Sequence, residues 1–542
     1  MHSRWLKTRR HFYESLRQEI QLFTGPISDD IQDYQNEYEK TFDQVWDISS
    51  MDELVSKILE ARFVIGGDYH SFYQSQRTHF RVLREVYKKL NTKKLVLMLE
   101  IFNFKDQKKI DDFLSGKINF QDLLKKTKWQ KTWSNLPIDG YEKILNWAKL
   151  NSIKVLGIND SKLDDLKERD LYSASVIDDF FESESLNSDN TVINYVIYGD
   201  FHLAQAHLPQ KIKNFDLNRD VILHLNSDKL YFALSEHAIE DKFEVLRLQS
   251  EFCILSSTPW VKLQSYLVFL QEMDDQMISE IENDDLFEPD YTDYLGKILD
   301  NYIADFELPN WKNLLDVLIP KDLDFEKLEF LKLKKQDKEK LAYFVTAQKN
   351  IVFPKDQIQF LAKPSVNSAY SLVGEFIHSQ LSQRESLNWS GDYFMQRRIW
   401  LDAVSFFFNL WLNPTVKILN ESDLNARLKS LEQKTVFENN LGKEGDYAES
   451  VLRFSVDFRL SEIKNVTSDF VDPAEINRPI TDAHWSVQLE AAAILGKIMG
   501  QKLYKKFKSG LISRDAFIGY LGVPIESDHF IAMYRHLLTQ LE

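Results

Sequence analysis

The chain has 542 residues, of which 44% are hydrophobic and 13% aromatic, with only 13 prolines and 17 glycines. This composition supports sizeable buried cores and excludes a disordered, collagen-like or low-complexity chain. Acidic residues outnumber basic ones by 83 to 67, and the resulting net charge of −16 disfavours a nucleic acid as partner, because a polyanion would be repelled. The single cysteine, Cys253, excludes an internal disulfide and a metal site built from several cysteines.

Residues 1–50 form the first predicted segment, with helices over 4–22 and 30–47 separated at Gly25-Pro26. The basic start is followed by an amphipathic stretch that carries charges where a signal peptide has its apolar region. The apolar runs of the chain are shorter than the roughly 18 residues needed to cross a bilayer. We therefore expect a cytoplasmic protein without a signal peptide, a lipobox or a transmembrane segment.

Residues 51–260 predict an α/β domain, which begins with the helix-capping spacing of Ser50 and Glu53. Short apolar runs then alternate with segments of helical apolar spacing. This alternation is typical of a mostly parallel sheet with helices on both faces. Two later runs are predicted to extend the sheet or to form its edge. The five predicted strands cover 62–65, 94–99, 153–158, 192–198 and 221–225, and the two later runs cover 243–248 and 252–256.

The rest of the chain predicts a helix and an acidic linker over 261–293, followed by a mainly helical domain over 294–542. The apolar spacing predicts helices over 368–380, 397–412 and 485–507. The last of these carries small residues (Ala491, Ala492, Ala493, Gly496 and Gly500) that would let neighbouring helices approach closely. We expect this half to provide any contacts with a protein partner or a second copy of the chain.

A four-residue pattern, Gly-Asp-aromatic-His, follows two of the predicted strands. It occurs as Gly67-Asp68-Tyr69-His70 and as Gly199-Asp200-Phe201-His202, and two other strands end in Glu100 and Asn159. Glycine lets the backbone turn sharply at each strand end. Because open α/β sheets bind ligands at the carboxyl ends of their strands, we expect these side chains to meet in one pocket.

The residue types alone leave two chemistries open for this pocket. His70, Glu100 and His202 are suitable ligands for a divalent metal ion with open coordination positions. The same three residues are also suitable for catalysis without metal, with an imidazole or the carboxylate as general base. Asp68 and Asp200 are predicted either to be additional ligands or to fix the imidazole tautomers.

The motifs resemble the ChaN-like domain of the haem-binding-uptake, Tiki and erythromycin-esterase superfamily, over roughly residues 61–225. Their order along the chain matches the ChaN branch of that superfamily. The pieces that carry the resemblance are Gly67–His70, Leu99–Phe102, Gln107, Asp112–Gly116, Trp133, Tyr141–Ala148, Ile158-Asn159, Arg169-Asp170 and Gly199–His202.

The resemblance implies an α/β fold with its site at the strand ends. It also implies haem or iron binding in one branch, and metal-dependent proteolysis or ester hydrolysis in others. Arg169 matches an Arg-Asp step of the ChaN branch, where it would receive a carboxylate such as a haem propionate. Tyr69, Asn159 and Asp170 are predicted to lie beside the ligand. We predict a ChaN-like protein that binds haem or a metal ion, with a hydrolase (esterase or peptidase) as the alternative.

Overall fold

The computed structural model describes residues 2–133, 136–185, 192–240, 242–279, 291–320, 335–363, 365–387, 393–416, 420–427, 429, 443–467 and 483–541. Contacts along the chain divide it into two compact units, Met1–Pro289 and Asp290–Glu542. The predicted helix and acidic linker over 261–293 are described in part. A helix extends over Pro259–Ser279 and includes the start of the acidic stretch, and residues 280–290 lie outside the described residues. Among the residues described, no helix is long and apolar enough to cross a membrane.

The first unit is built on an eight-stranded sheet with the strand order β1-β7-β8-β6-β2-β5-β3-β4. The six strands from β8 to β4 pair in parallel, and β7 and β1 are added in antiparallel orientation at one edge. The strands are β1 (Asp47–Ser49), β2 (Phe63–Asp68), β3 (Lys94–Asn103), β4 (Lys154–Asn159), β5 (Val192–Gly199), β6 (Val221–Leu225), β7 (Val245–Leu248) and β8 (Glu251–Ile254).

Helices precede and connect these strands. All six residues of β2 are buried, as expected for a central strand of a parallel sheet covered by helices. The predicted fold class is confirmed for this unit. Its helices are α1 (His2–Thr24), α2 (Asp29–Lys40), α3 (Met51–Glu60), α4 (Tyr73–Lys88), α5 (Gln107–Leu114), α6 (Phe120–Thr127), α7 (Trp129–Thr132), α8 (Asp139–Leu150), α9 (Leu166–Ser185), α10 (Leu208–Lys211), α11 (Asp228–Glu236) and α12 (Pro259–Ser279).

The start of the chain differs from the prediction in one respect. The second helix ends at Lys40 instead of residue 47, because Asp47–Ser49 pair with β7 as an edge strand. The helix cap predicted before α3 forms in part. The Ser50 side chain accepts a hydrogen bond from the backbone N–H of Glu53 at 3.1 Å. The Glu53 carboxylate does not return to the cap and instead contacts Ser49 and Arg247.

The second unit is mainly helical, as predicted. Gly500 allows the helices Phe394–Leu412 and Trp485–Lys508 to pack closely, since a Cβ there would lie 2.5 Å from the carbonyl oxygen of Ala403. The sequence did not predict its small sheet, whose three-residue strands β9 (Asp316–Leu318), β10 (Ile351–Phe353) and β11 (Ile358–Phe360) have the order β10-β11-β9. The helices are α13 (Tyr291–Phe306), α14 (Lys335–Thr346), α15 (Val366–Ser382), α16 (Phe394–Leu412), α17 (Lys443–Thr467), α18 (Trp485–Lys508), α19 (Arg514–Leu521) and α20 (His529–Leu541).

Candidate functional site

The first Gly-Asp-aromatic-His motif closes the end of β2. Asp68 is the last residue of the strand, and His70 follows two residues later, with its Nδ1 2.9 Å from Asp68 Oδ2. Residues two apart in an extended chain lie on the same side, which explains this pairing. Gln76 donates a hydrogen bond to Asp68 Oδ1 at 2.7 Å, and the Tyr141 hydroxyl donates one to Oδ2. Asp68 is therefore a buried carboxylate that fixes the His70 ring.

Glu100 lies in β3 at a point where the pairing of β3 with β4 is irregular. Its side chain is almost completely buried, and both carboxylate oxygens have partners. Oε1 accepts a hydrogen bond from Arg169 Nη2 at 2.5 Å. Oε2 accepts one from the backbone N–H of Gly199 at 2.6 Å and lies 3.3 Å from His70 Nε2. Glu100 thus connects the ends of β2 and β5 to helix α9.

The second motif follows β5 but has a different backbone geometry. Residues 200–203 form a 3₁₀ turn, in which side chains two residues apart point in directions that differ by about 120° around the helix axis. His202 is instead fixed by Asp170, a fully buried residue of α9, with 2.6 Å between His202 Nδ1 and Asp170 Oδ1. This corrects the prediction that Asp200 fixes the tautomer of its motif histidine. A ligand role for Asp200 stays a prediction.

Tyr34, which lies in α2, packs against the His202–Asp170 pair. Its hydroxyl donates a hydrogen bond to Asp170 Oδ2 at 3.1 Å, and its ring meets the His202 ring edge-on at 5.3 Å between centroids. A second edge-on contact joins His202 to Tyr198 at 4.9 Å. The His202 side chain is 8% exposed, and its Nε2 has no hydrogen-bond partner among the described residues. Nδ1 of His202 is therefore fixed by Asp170, whereas Nε2 has no partner among the described residues.

Gly199 marks the point at which the three predicted site residues meet. A Cβ built on this glycine would lie 3.3 Å from Cδ2 of His202, 3.4 Å from Oε2 of Glu100 and 3.4 Å from Nε2 of His70. The absence of a side chain at this position leaves room for all three. The structure therefore brings His70, Glu100 and His202 together at the carboxyl ends of parallel strands.

The charges of this cluster shift the pKa values of its members. Burial favours the neutral imidazole of His70, but the carboxylates of Glu100 and Asp68 outweigh burial and raise its pKa to about 10. Burial also favours the neutral form of Glu100, yet the charges of His70 and Arg169 hold its pKa well below the usual range. At neutral pH the cluster consists of a carboxylate between an imidazolium and a guanidinium.

Two members of the set predicted for a divalent metal ion, His70 and Glu100, are engaged with other protein groups in this structure. Both nitrogens of His70 and both oxygens of Glu100 face other protein groups. Within the described ranges, no group of three His, Cys, Asp or Glu side chains is placed to bind an ion.

Three of the predicted residues lie outside this hydrogen-bond network. Tyr69 contacts α12, with its ring edge-on to Tyr266 and the Lys262 ammonium 5.8 Å from its centre. Burial raises the pKa of Asp200 to about 6, while the positive charges of Lys262 and His70 oppose that shift. Asn159 ends β4 and is buried, and its Oδ1 accepts no hydrogen bond from any residue that the structure describes.

The residues that the sequence did not single out for the site are Tyr34 and Gln76. Gln76 lies in the first turn of α4, six residues after His70. No sequence pattern identifies it as a site residue. Tyr34 lies in a leading helix, far from both motifs in sequence. Tyr141 belongs to a segment that carried the family resemblance, but its bond to Asp68 was not predicted.

Comparison with known families gives one match, over about a fifth of the chain. Residues 54–163 match the family model described as "Haem-binding uptake, Tiki superfamily, ChaN". This part of the chain is ChaN-like. The resemblance predicted from the motifs is thereby confirmed over these residues. The ChaN-like stretch includes Asp68, His70, Glu100 and Asn159 and ends before Arg169.

A solved structure is also similar to this chain. Its title is "Cofacial heme binding to ChaN of Campylobacter jejuni", and it shares 15% sequence identity with a TM-score of 0.27. The likeness covers 33% of this chain and 87% of that one. No curated protein matches the chain.

Proposed function

We propose that the strand-end site of the first unit binds haem and that His202 supplies the ligand to the haem iron. The observation that carries this proposal is the open Nε2 of His202, whose ring is fixed through Nδ1 by buried Asp170. A histidine that binds a metal through one nitrogen almost always donates the other N–H to a carboxylate or carbonyl. The family match over residues 54–163 supports haem as the ligand.

His70 is not proposed as the iron ligand, although it carries the same motif. Its two nitrogens face Asp68 and Glu100, and these carboxylates keep it protonated at neutral pH by raising its pKa to about 10. We propose that His70 and Arg169 hold Glu100 in place and contribute positive charge to the pocket.

The side chains around His202 are of the types that haem requires. A haem presents a flat apolar ring and two carboxylates. The rings of Tyr34 and Tyr198 contact His202, and the Trp133 ring lies edge-on to His70 at 5.1 Å. The Arg169 side chain is 20% exposed, and Arg169 is the residue proposed to receive a propionate. Bound haem would supply an iron centre, which the imidazole would ligate.

The test is a titration of the purified full-length chain with haem, followed by the Soret absorbance. We expect saturable binding that His202→Ala weakens strongly, because the imidazole ligand is removed. The control is His237→Ala, which removes an exposed histidine at the end of α11. Equal haem affinity and an unchanged Soret band in His202→Ala would refute His202 as the ligand.

A hydrolase remains the second candidate, and the His202–Asp170 pair favours it. A histidine held by a buried carboxylate is the arrangement of a general base that activates water or a hydroxyl group. If the protein is a hydrolase, the wild-type chain should turn over simple ester or peptide probes. His202→Ala and Asp170→Asn should each abolish that turnover. Absence of turnover with haem binding intact would leave the binding function alone.

A further inference from the structure

The second unit contains a polar cavity of about 400 Å³, and all of its lining residues belong to that unit. Cavities of roughly 300 to 1,000 Å³ are the size at which proteins bind small molecules. This cavity lies between α15, α16 and α18, beside the segment that joins α14 to β10.

The wall contributed by α16 is a polar stripe on an otherwise buried, apolar helix. Arg398, Asp402, Ser405 and Asn409 all line the cavity. Their spacing of four, three and four residues places them on one face of the helix. Since burying polar groups without partners is unfavourable, such a stripe indicates that this face meets a polar environment. A cavity for a polar ligand is one such environment.

Arg398 is oriented and partly unsatisfied. Its Nε and Nη2 donate to the Asp402 carboxylate at 3.3 and 2.9 Å, and its guanidinium lies 5.5 Å from the centre of the Phe344 ring. The Nη1 group makes no hydrogen bond to a residue in the described part of the chain. A guanidinium fixed in this way recognises the oxygens of a carboxylate or a phosphate.

The other charges of the wall also favour an anion. The lining bases are Lys349, Arg398 and Lys497, and the lining acids are Glu375 and Asp402. Lys349 already pairs with Glu490 at 3.0 Å, outside the lining. Both acids already pair with arginines, at 3.0 Å for Glu375 and Arg384 and at 2.9 Å for Asp402 and Arg398. Lys497 is exposed and has no ion-pair partner among the residues described. Its positive charge is therefore available to a ligand.

Two groups of the wall indicate that the ligand also carries hydroxyl groups. Asn409 is 4% exposed, and its Nδ2 donates to the Asn367 carbonyl and to Ser371 Oγ at 3.3 Å each. Its Oδ1 is buried and accepts no hydrogen bond within the described residues, so it lacks a donor. Ser405 lines the same wall and makes no side-chain hydrogen bond to a described residue. A hydroxyl group supplies both the donor for Asn409 and an acceptor for serine.

We propose that this cavity binds a small hydroxylated phosphate ester of the sugar-phosphate class. Arg398 and Lys497 hold the phosphate, and Asn409 and Ser405 bind hydroxyl groups. All residues of this site belong to the second unit, so the proposed binding goes beyond haem binding by the first unit.

The experiment measures binding of glucose 6-phosphate, ribose 5-phosphate and glycerol 3-phosphate to the full-length chain by calorimetry. Inorganic phosphate and glucose serve as separate arms. We expect at least one ester to bind more tightly than either of these two probes. Lys497→Glu should weaken that binding by about tenfold or more, because an attractive charge becomes a repulsive one. The matched control is Lys505→Glu, which changes an exposed lysine of the same helix outside the cavity lining.

A second variant, Ser405→Leu, tests the cavity itself by filling it with an apolar side chain. It should reduce ester binding by about tenfold or more, while the thermal unfolding curve shows that the chain is still folded. The proposal is overturned if none of the three esters binds at millimolar concentration. It is also overturned if inorganic phosphate or glucose binds as tightly as every ester, or if neither Lys497→Glu nor Ser405→Leu changes the affinity.

Discussion

At the scale of single residues, the pKa of His70 determines what this residue can do at neutral pH. The Glu100 and Asp68 carboxylates raise that pKa to about 10, against burial, so the ring stays protonated and serves as a cation that holds Glu100. His202 has one carboxylate partner, Asp170, and one open nitrogen. The same motif therefore yields a protonated imidazole at one strand end, and at the other an imidazole with one nitrogen that lacks a hydrogen-bond partner among the described residues.

The raised pKa of His70 makes a prediction for stability against pH. The pKa in the unfolded chain is about 6.5, so protonated His70 stabilises the folded chain fully below that pH. Its contribution falls as the pH rises toward 10. We therefore expect the difference in unfolding free energy between wild type and His70→Gln to shrink from pH 6.5 to pH 10, measured by urea denaturation. A difference that stays constant over this window would contradict the charged state of His70.

Asp170 is predicted to act through His202. Asp170→Asn removes the charge that fixes the imidazole, and haem affinity should fall by about tenfold to a hundredfold, as for other partners of metal-binding histidines. Haem titration of the two variants measures this. The matched control, Asp179→Asn, changes an exposed aspartate of the same helix and should leave the affinity unchanged. Equal losses of haem affinity in Asp170→Asn and Asp179→Asn would contradict a specific role for Asp170 and indicate a general effect on α9.

At the scale of elements, the backbone after each strand decides which carboxylate reaches the histidine. After β2 the chain continues in a form that places Asp68 and His70 on one side, and after β5 a 3₁₀ turn separates Asp200 from His202. The sequence predicted the end of β5 to within one residue, but β2 continues past the predicted end at residue 65, through Gly66 and Gly67, to Asp68. The sequence did not distinguish the two turns, since the four-residue pattern is the same in both.

The packing of α16 against α18 depends on a glycine and makes a prediction for stability. In Gly500→Ala the new Cβ would lie 2.5 Å from the Ala403 carbonyl oxygen, a backbone atom of a packed helix. We expect a loss of about 1 to 3 kcal/mol in unfolding free energy despite the better helix propensity of alanine. Chemical denaturation of the full-length chain measures the change.

Gly519 in α19 provides the control for that substitution. It is also helical, but no atom lies within 4 Å of the position that its Cβ would occupy. Gly519→Ala should leave stability unchanged or raise it by up to about 1 kcal/mol. If both variants were stabilised equally, the close helix contact at Gly500 would be refuted.

At the scale of the whole molecule, the features that could be predicted are those encoded by short stretches of sequence. Features that depend on packing between distant segments could not be predicted. Seven of the eight strands of the first unit were predictable because each falls on a short apolar run, whereas the edge strand β1 was not predicted. The order of the motifs indicated the resemblance to ChaN. The partners Tyr34 and Asp170 were not predicted for His202, because packing between distant segments decides them. The cavity of the second unit was missed for the same reason: Arg398 and Asn409 are ordinary helix residues until neighbouring helices enclose them.

The role of His202 is tested most directly by rescue of a ligand-deletion variant. His202→Gly removes the imidazole and leaves a space that free imidazole can enter, so the full-length variant is mixed with haem, with and without added imidazole. The account predicts that the Soret band and the electron paramagnetic resonance spectrum differ from wild type without imidazole and return toward wild type with it. A wild-type spectrum in His202→Gly before imidazole is added would contradict the account.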